Sequence, residues 1–227
     1  MNLNLSFNLR LYFRRAVYLI VLLGYSTAFS GSYEDFFAAI KKDDASAVTA
    51  LLKRGFDANS RDANGQHGLY LALQEPSMKV AAVLMDWKAT QVESRNAADE
   101  SPLMLASLRG LLPVVVKLIE RGADVNKPGW APLHYAATKG HLEVINVLLE
   151  NHAYIDAASP NGSTPLMMAA MYGTPSAVKL LLEAGADPSL KNTQGLTAIE
   201  FAQRSTRLDS AGIIAAFVRS QQPKGKW

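Results

Sequence analysis

The stretch PGWAPLHYAATKGHLEVINVLLE, from Pro128 to Glu150, contains two short apolar patterns separated by a glycine. Pro132 opens the first pattern, since a proline in the first turn of a helix needs no N–H. Gly140 ends it, because glycine readily takes the left-handed conformation just past a helix end. The second pattern runs from Leu142 to Leu149 at helical spacing. Helices shorter than about 12–15 residues are marginal in water, so each of these pieces needs neighbours.

The same arrangement recurs along the chain and supplies those neighbours. It returns as SPLMLASLRGLLPVVVKLIERGADVN, from Ser101 to Asn126, and as TPLMMAAMYGTPSAVKLLLEAGADPS, from Thr164 to Ser189. The helix-opening prolines Pro102, Pro132 and Pro165 lie 30 and 33 residues apart. Self-similarity at such a period is typical of a stacked solenoid, in which each unit covers the apolar face of the next.

These residues resemble the ankyrin-repeat family. The likeness is carried by APLHYAA and TPLMMAA at the helix starts, by GHLEVINVLL, and by the unit endings GADVN and GADPS, and it extends over roughly residues 32 to 220. The resemblance implies an all-α solenoid of about six helix–turn–helix units joined by short β-hairpin loops. We therefore predict a repeat domain over residues 31–220 and a loose C-terminal tail over residues 221–227.

Two units depart from the pattern in ways that the structure can test. The fourth unit ends at Asn151-His152 rather than at glycine, and we expect Asn151 to take the left-handed conformation, which asparagine tolerates well. The linker KPGWA, residues 127–131, is three residues shorter than its counterparts. We expect a tighter turn there, around Pro128 and Gly129.

Charge and cysteine content exclude several classes of function. The formal net charge is +3, and the three arginines of the first 30 residues account for it, which leaves a neutral body. A neutral body does not favour nucleic acid, whose binding depends on Lys and Arg at phosphates. The chain has no cysteine, which excludes disulfides, thiol catalysis and cysteine metal sites.

Residues 1–30 have the three parts of an export signal. A basic part ends at Arg14-Arg15, an apolar run follows from Ala16 to Gly24, and small residues suited to a signal peptidase come next. Cleavage after Ala28 or after Ser30 fits the pattern. The alternative is an uncleaved inner-membrane anchor, although the apolar run is shorter than the roughly 17–25 residues of a spanning helix.

The sequence shows no catalytic or metal-binding constellation. The four histidines suggest a metal site, but such a site needs three or four converging ligands. The resemblance implies instead that His134 and His141 make structural hydrogen bonds to the backbone. No nucleophile with a neighbouring base and no phosphate-binding glycine loop is visible. We therefore predict no catalytic residues, no metal and no cofactor.

The remaining candidates concern binding of a protein partner. In ankyrin-like stacks the loop tips and the exposed side of each first helix form a concave wall, and aromatic residues dominate binding hot spots. Methionines supply adaptable apolar surface, although they also fill gaps between helices. Trp130 has an alternative role in packing on its own shortened loop. The predicted partner-binding residues are Trp130, Tyr135, Tyr172, Arg109, Lys139, Met168 and Met171.

The export signal, together with a resemblance to bacterial exported ankyrin-repeat proteins, implies a monomeric, non-enzymatic protein-binding module in the periplasm of a Gram-negative bacterium. We expect no nucleic acid partner and no membrane insertion after signal cleavage. Two alternatives stay open: a secreted effector or toxin-associated inhibitor that acts outside the cell, and an inner-membrane-anchored scaffold that faces the periplasm. The sequence does not identify the partner, because a fold does not fix a function.

Overall fold

A computed structural model describes residues 31–221 as a row of paired helices. Within this part of the chain the twelve helices are α1 (residues 31–41), α2 (Ala45–Lys53), α3 (Gly68–Gln74), α4 (Met78–Asp86), α5 (Pro102–Arg109), α6 (Leu112–Glu120), α7 (Pro132–Lys139), α8 (Leu142–Glu150), α9 (Pro165–Tyr172), α10 (Pro175–Glu183), α11 (Ala198–Arg204) and α12 (Leu208–Gln221). Consecutive pairs form six units, which confirms the predicted all-α solenoid of about six helix–turn–helix units.

The units stack in two layers. The first helices α3, α5, α7, α9 and α11 pack side by side in one layer, and the second helices pack in the other. The predicted export segment, residues 1–30, and residues 222–227 of the predicted tail lie outside the described residues. Helix α12 continues to Gln221, one residue beyond the predicted end of the repeat domain. No helix within residues 31–221 combines the length and the apolar character that crossing a bilayer requires.

Each first helix begins at a proline or a cap that the sequence places there. Ser101 Oγ accepts a hydrogen bond from the Met104 N–H at 3.3 Å, and Thr164 Oγ1 accepts one from the Met167 N–H at 3.3 Å. Both residues precede the proline that opens the helix. These caps satisfy N–H groups that the first turn leaves without helical partners.

Two first helices end at glycines that no other residue could replace without rearrangement. Gly110 and Gly140 have φ values of 67° and 71°. A Cβ atom on Gly110 would lie 2.6 Å from the His141 ring, and one on Gly140 would lie 2.6 Å from Thr174 Oγ1. Glycine is therefore required at each position for two reasons: the backbone has a positive φ, and a residue of the next unit lies too close to admit a side chain.

The fourth unit ends differently from our expectation. His152, not Asn151, takes the left-handed conformation, with φ of 64° against −96° for Asn151. Asn151 stays in the helical turn, where its side-chain amide donates to the Val147 carbonyl at 2.8 Å. His152 thus stands at the position that Gly122 and Gly185 occupy in the flanking units.

The loops between units reverse direction as expected, but within residues 31–221 they contain one isolated β-bridge, Arg61 with His67, and no strand. A side chain replaces a backbone partner in each five-residue tip. The first residue donates its N–H to the fifth residue's carbonyl, while its side-chain oxygen accepts the fifth residue's N–H. The predicted β-hairpins are therefore side-chain-closed turns, and the residues that close them are Asp62, Asn96, Ser159 and Asn192.

The shortened loop before α7 is held by an ion pair between a buried lysine and an exposed aspartate. Gly129 takes a φ of 81°, which confirms the tight turn expected around Pro128 and Gly129. The Lys127 side chain is 5% exposed, and its ammonium lies 2.5 Å from Asp99 Oδ2. It also donates to the Pro128 carbonyl at 3.1 Å. The neighbouring tip thus supplies the charge that this buried lysine needs.

The core runs continuously through the stack rather than around one centre. Leu103, Leu133 and Leu166 point into it from successive first helices, and Leu118 and Leu148 do so from successive second helices. All five are at most 1% exposed. Each unit therefore buries its apolar face against the next.

We expect the change Leu148→Ala to lower the free energy of unfolding by about 2–5 kcal/mol, because the side chain is fully buried and leaves a cavity. Urea unfolding followed by circular dichroism measures this. The matched control is Leu208→Ala at a side chain that is 75% exposed, where the change should stay within about 0.5 kcal/mol. Equal effects at the two sites would contradict this description of the core.

Candidate binding surface

The candidate surface, called here the first-helix face, consists of the outward sides of α3, α5, α7, α9 and α11 with the loop tips that precede them. The predicted binding residues lie on three adjacent helices of this face, α5, α7 and α9, and on the shortened loop before α7. Because these helices pack against one another, side chains from different units come within reach.

Three of the predicted residues meet around a hollow of about 220 Å³. Trp130 from the shortened loop, Tyr135 from α7 and Met168 from α9 line it. The Trp130 ring stands edge-to-face against the His134 ring at 5.3 Å and the Tyr135 ring at 6.5 Å. The remaining lining residues are Leu108, His134 and Thr138.

A carboxylate that sequence reasoning missed lies beside this hollow. Glu100 accepts hydrogen bonds from the Tyr70 hydroxyl at 2.7 Å and the Asn96 amide at 2.9 Å. The Tyr135 hydroxyl lies 3.4 Å from its other oxygen. Tyr70 and Tyr135 belong to units on either side of Glu100, so only the stacking of three units assembles the group. No local motif signals it.

Burial and the neighbouring Glu100 both disfavour the phenolate forms of Tyr70 and Tyr135. Burial, followed by the charge of Glu100 and its hydrogen bond, raises the pKa of Tyr135 to about 12. Burial and the hydrogen bond to Glu100 raise the pKa of Tyr70 as well. Both hydroxyls are therefore protonated at neutral pH and remain donors to the carboxylate.

The other predicted residues are either exposed on the same helices or make contacts that stabilise the fold. Tyr172, at the end of α9, is 52% exposed, and Lys139 is exposed at the end of α7. Met171 is half-buried against the core. The Arg109 guanidinium donates to the Leu73 carbonyl at 2.7 Å and the Gln74 carbonyl at 2.8 Å, at the end of α3. Arg109 thus ties two units together and is not a free charge.

Two of the histidines on this side of the protein make the backbone hydrogen bonds that the family resemblance implied. His134 Nδ1 accepts from the Ala131 N–H at 3.1 Å, and its Nε2 donates to the Ser163 carbonyl at 3.0 Å. His141 Nε2 donates to the Leu108 carbonyl at 3.1 Å. Residues 31–221 contain no group of three or more metal-ligating side chains placed to hold an ion.

His67 is buried in the same way and caps α3. Its Nδ1 accepts from the Leu69 N–H at 3.3 Å, and its Nε2 donates to Asn59 Oδ1 at 3.1 Å. Burial, followed by the nearby charge of Arg61, lowers the pKa of His67 to about 4. Burial also lowers the pKa of His134. Both rings are therefore neutral in the folded protein at neutral pH.

Comparison with known proteins assigns the family. The family model "Ankyrin repeats (3 copies)" matches residues 36–129, 88–159 and 133–217, and the chain belongs to the ankyrin repeat family. Ankyrin repeats are protein–protein interaction modules, and their fold is generally a non-catalytic scaffold.

Curated relatives agree with this assignment. The chain is 30% identical over 169 residues to the nuclear factor NF-kappa-B p105 subunit of Gallus gallus, matching 71% of this chain and 17% of that protein. Against the B-cell lymphoma 3 protein homolog of Mus musculus it is 30% identical, matching 71% of this chain and 38% of that protein. The chain thus spans well under half the length of these relatives.

Two solved structures are similar over most of the described chain. One is a chain in the structure of a complex between the Bd0816 predatory endopeptidase from Bdellovibrio bacteriovorus and immunity protein Bd3460, with 27% identity, a TM-score of 0.70 and coverage of 80% of this chain and 97% of that chain. The other is an ankyrin repeat domain from Acinetobacter baumannii AYE, with 24% identity, a TM-score of 0.71 and coverage of 81% and 97%. The second likeness concerns the fold alone.

The lowered histidine pKa values predict the direction of an acid effect on stability. The unfolded chain protonates His67 near pH 6.5, whereas the folded protein does so only near pH 4. The free energy of unfolding should therefore decrease as the pH falls from about 6.5 to about 4, through this group's contribution. Urea unfolding at a series of pH values measures the slope.

The variant His67→Asn should weaken this slope, because asparagine keeps a capping acceptor but does not titrate. The control His152→Asn changes an exposed ring at a left-handed position and should leave the slope as it is. A slope that is unchanged by His67→Asn would assign the acid effect to other groups.

Proposed function

We propose that this chain is a non-enzymatic protein-binding module that acts in the periplasm and captures a protein partner through its first-helix face. The observation that carries the proposal is the hollow bounded by Trp130, Tyr135 and Met168. Aromatic side chains in such settings supply most of the affinity at protein interfaces. Membership of the ankyrin family supports a protein as the ligand.

Rigid presentation of this face supports tight capture. Helices α5, α7 and α9 each pack between neighbours in the first layer, so their outward side chains are held before the partner arrives. Trp130 is fixed against two rings, and Met168 packs partly on the core. Little conformational freedom is then lost on docking, which favours affinity.

We expect the double variant Trp130→Ala, Tyr172→Ala to weaken partner capture about tenfold or more while shifting the thermal midpoint by only a few degrees. Trp130 is half-buried and Tyr172 is 52% exposed, so neither fills the core. Affinity capture from an envelope fraction, quantified against the wild type, and a melting curve measure the two effects.

The matched control for this experiment is Tyr154→Ala. Tyr154 is 67% exposed and lies in the loop that follows α8, outside the first helices that carry the predicted binding residues. Its truncation should change neither capture nor melting. A double variant that melts many degrees lower would show that these aromatics stabilise the fold, and a variant that still captures the partner fully would refute the binding face.

A second candidate is an inhibitor that acts on an exported enzyme outside the producing cell. The likeness to a chain of an endopeptidase–immunity protein complex favours it. It uses the same first-helix face but a different compartment. Fractionating producing cells into periplasm and medium separates the two candidates, because an inhibitor acting outside accumulates in the medium.

The basic, apolar and small-residue parts of residues 1–30 support export with cleavage. We expect N-terminal sequencing of the mature protein to begin at Phe29 or Gly31. A protein that retains Ala16 to Gly24 and sediments with the inner membrane would instead be the anchored scaffold. The control is the variant Leu22→Arg, in which a charge within the apolar run should block export.

A further inference from the structure

Among the described residues, Glu100 is held by hydrogen-bond donors and not by an ion pair. Its carboxylate is half-buried and contacts the Tyr70 hydroxyl, the Asn96 amide and the Tyr135 hydroxyl, all of them neutral. Within residues 31–221 no lysine, arginine or histidine forms an ion pair with it. In the part of the chain that the structure describes, the carboxylate therefore has hydrogen-bond partners but no opposite charge within ion-pair distance.

The nearby cations all have other partners. Arg95 pairs with Glu93, Asp99 and Asp124, and Lys127 pairs with Asp99. The Arg109 guanidinium is bound to the two carbonyls at the end of α3. Each of these three side chains is therefore already engaged with groups other than Glu100.

Tyr135 links this carboxylate to the hollow. Its ring lines the hollow together with Trp130 and Met168, and its hydroxyl lies 3.4 Å from Glu100 Oε1. Aromatic ring faces attract cations, and the attraction is stronger when water is excluded. The apolar lining and the negative charge are therefore adjacent parts of one surface, joined by a single side chain.

We propose that the hollow and Glu100 together form a subsite for an arginine side chain presented by the protein partner; this deepens the proposed function and rests on it. The aliphatic stem of the arginine packs across Trp130, Tyr135 and Met168, and its guanidinium meets the Glu100 carboxylate.

The cost of removing water from Glu100 when a partner covers it favours an arginine as the occupant. A partner that covered Glu100 with apolar surface would strip water from a charged group without replacing its interactions, which is costly. A basic side chain supplies the missing charge, and charge-assisted hydrogen bonds are the stronger kind. Arginine suits the site better than lysine, since its planar guanidinium both stacks on aromatic rings and pairs with carboxylates through two bonds.

The test uses the full mature chain, labelled with ¹⁵N, and small probes rather than an unidentified partner. N-acetyl-arginine amide is titrated against its neutral isostere, N-acetyl-citrulline amide, at constant ionic strength. The Trp130 indole N–H resonance, assigned with Trp130→Phe, reports binding. We expect a saturable shift with the arginine probe and a dissociation constant about tenfold larger for the citrulline probe, since one charge-assisted contact is lost.

Two variants locate the effect. Glu100→Gln keeps an acceptor for Tyr70 but removes the charge, and it should weaken the arginine probe about tenfold. Glu143→Gln removes the same charge from an exposed position on α8 and should leave the constant unchanged. Equal binding of the two probes, no saturable shift, or an arginine constant that survives Glu100→Gln would each overturn the subsite.

The outcome is separable from that of the proposed function. If the arginine probe fails while capture of the partner still depends on Trp130 and Tyr172, the subsite is wrong and the binding face stands. If the variant without Trp130 and Tyr172 captures the partner as well as the wild type does, the proposed function fails. The assignment of the arginine to that partner then fails with it.

Discussion

Burial between neighbouring units is the interaction on which the whole structure depends. Helices α3 to α11 are seven to nine residues long, too short to be stable alone. Their leucines reach full burial only where the next unit closes over them. The stack therefore stabilises itself by repetition, and its outward side chains are free to carry specificity.

Hydrogen bonds between neighbouring units determine the relative positions of their helices. Asn59 bonds the Ala89 carbonyl and the Gln91 N–H, and Asn126 makes the equivalent pair of bonds in a later unit. Arg109 clamps the end of the preceding first helix. These bonds join side chains to backbone that lies about one repeat away, so they fix spacing as well as satisfy carbonyls. The distances within the hollow and around Glu100 therefore depend on this spacing between units.

The sequence predicts what is local and misses what stacking creates. The helix starts at Pro102, Pro132 and Pro165 follow from residue chemistry within one unit, and the structure confirms them. The loops reverse direction as predicted, but residues 31–221 contain one isolated β-bridge and no strand, since side-chain oxygens take backbone roles in the tips. Likewise Glu100 meets tyrosines that lie 30 and 35 positions away in the chain only because their units become neighbours. The sequence of a single unit contains no pattern that predicts such a contact between units.

The glycines that end α5 and α7 have an evolutionary corollary. Gly110 leaves room for the His141 ring of the next unit, and Gly140 leaves room for Thr174. A smaller contact residue would not by itself allow a side chain at either glycine, because the positive φ values of both glycines still disfavour one. A copied or deleted repeat must therefore preserve these contacts across the new junction, or the two repeats there pack poorly.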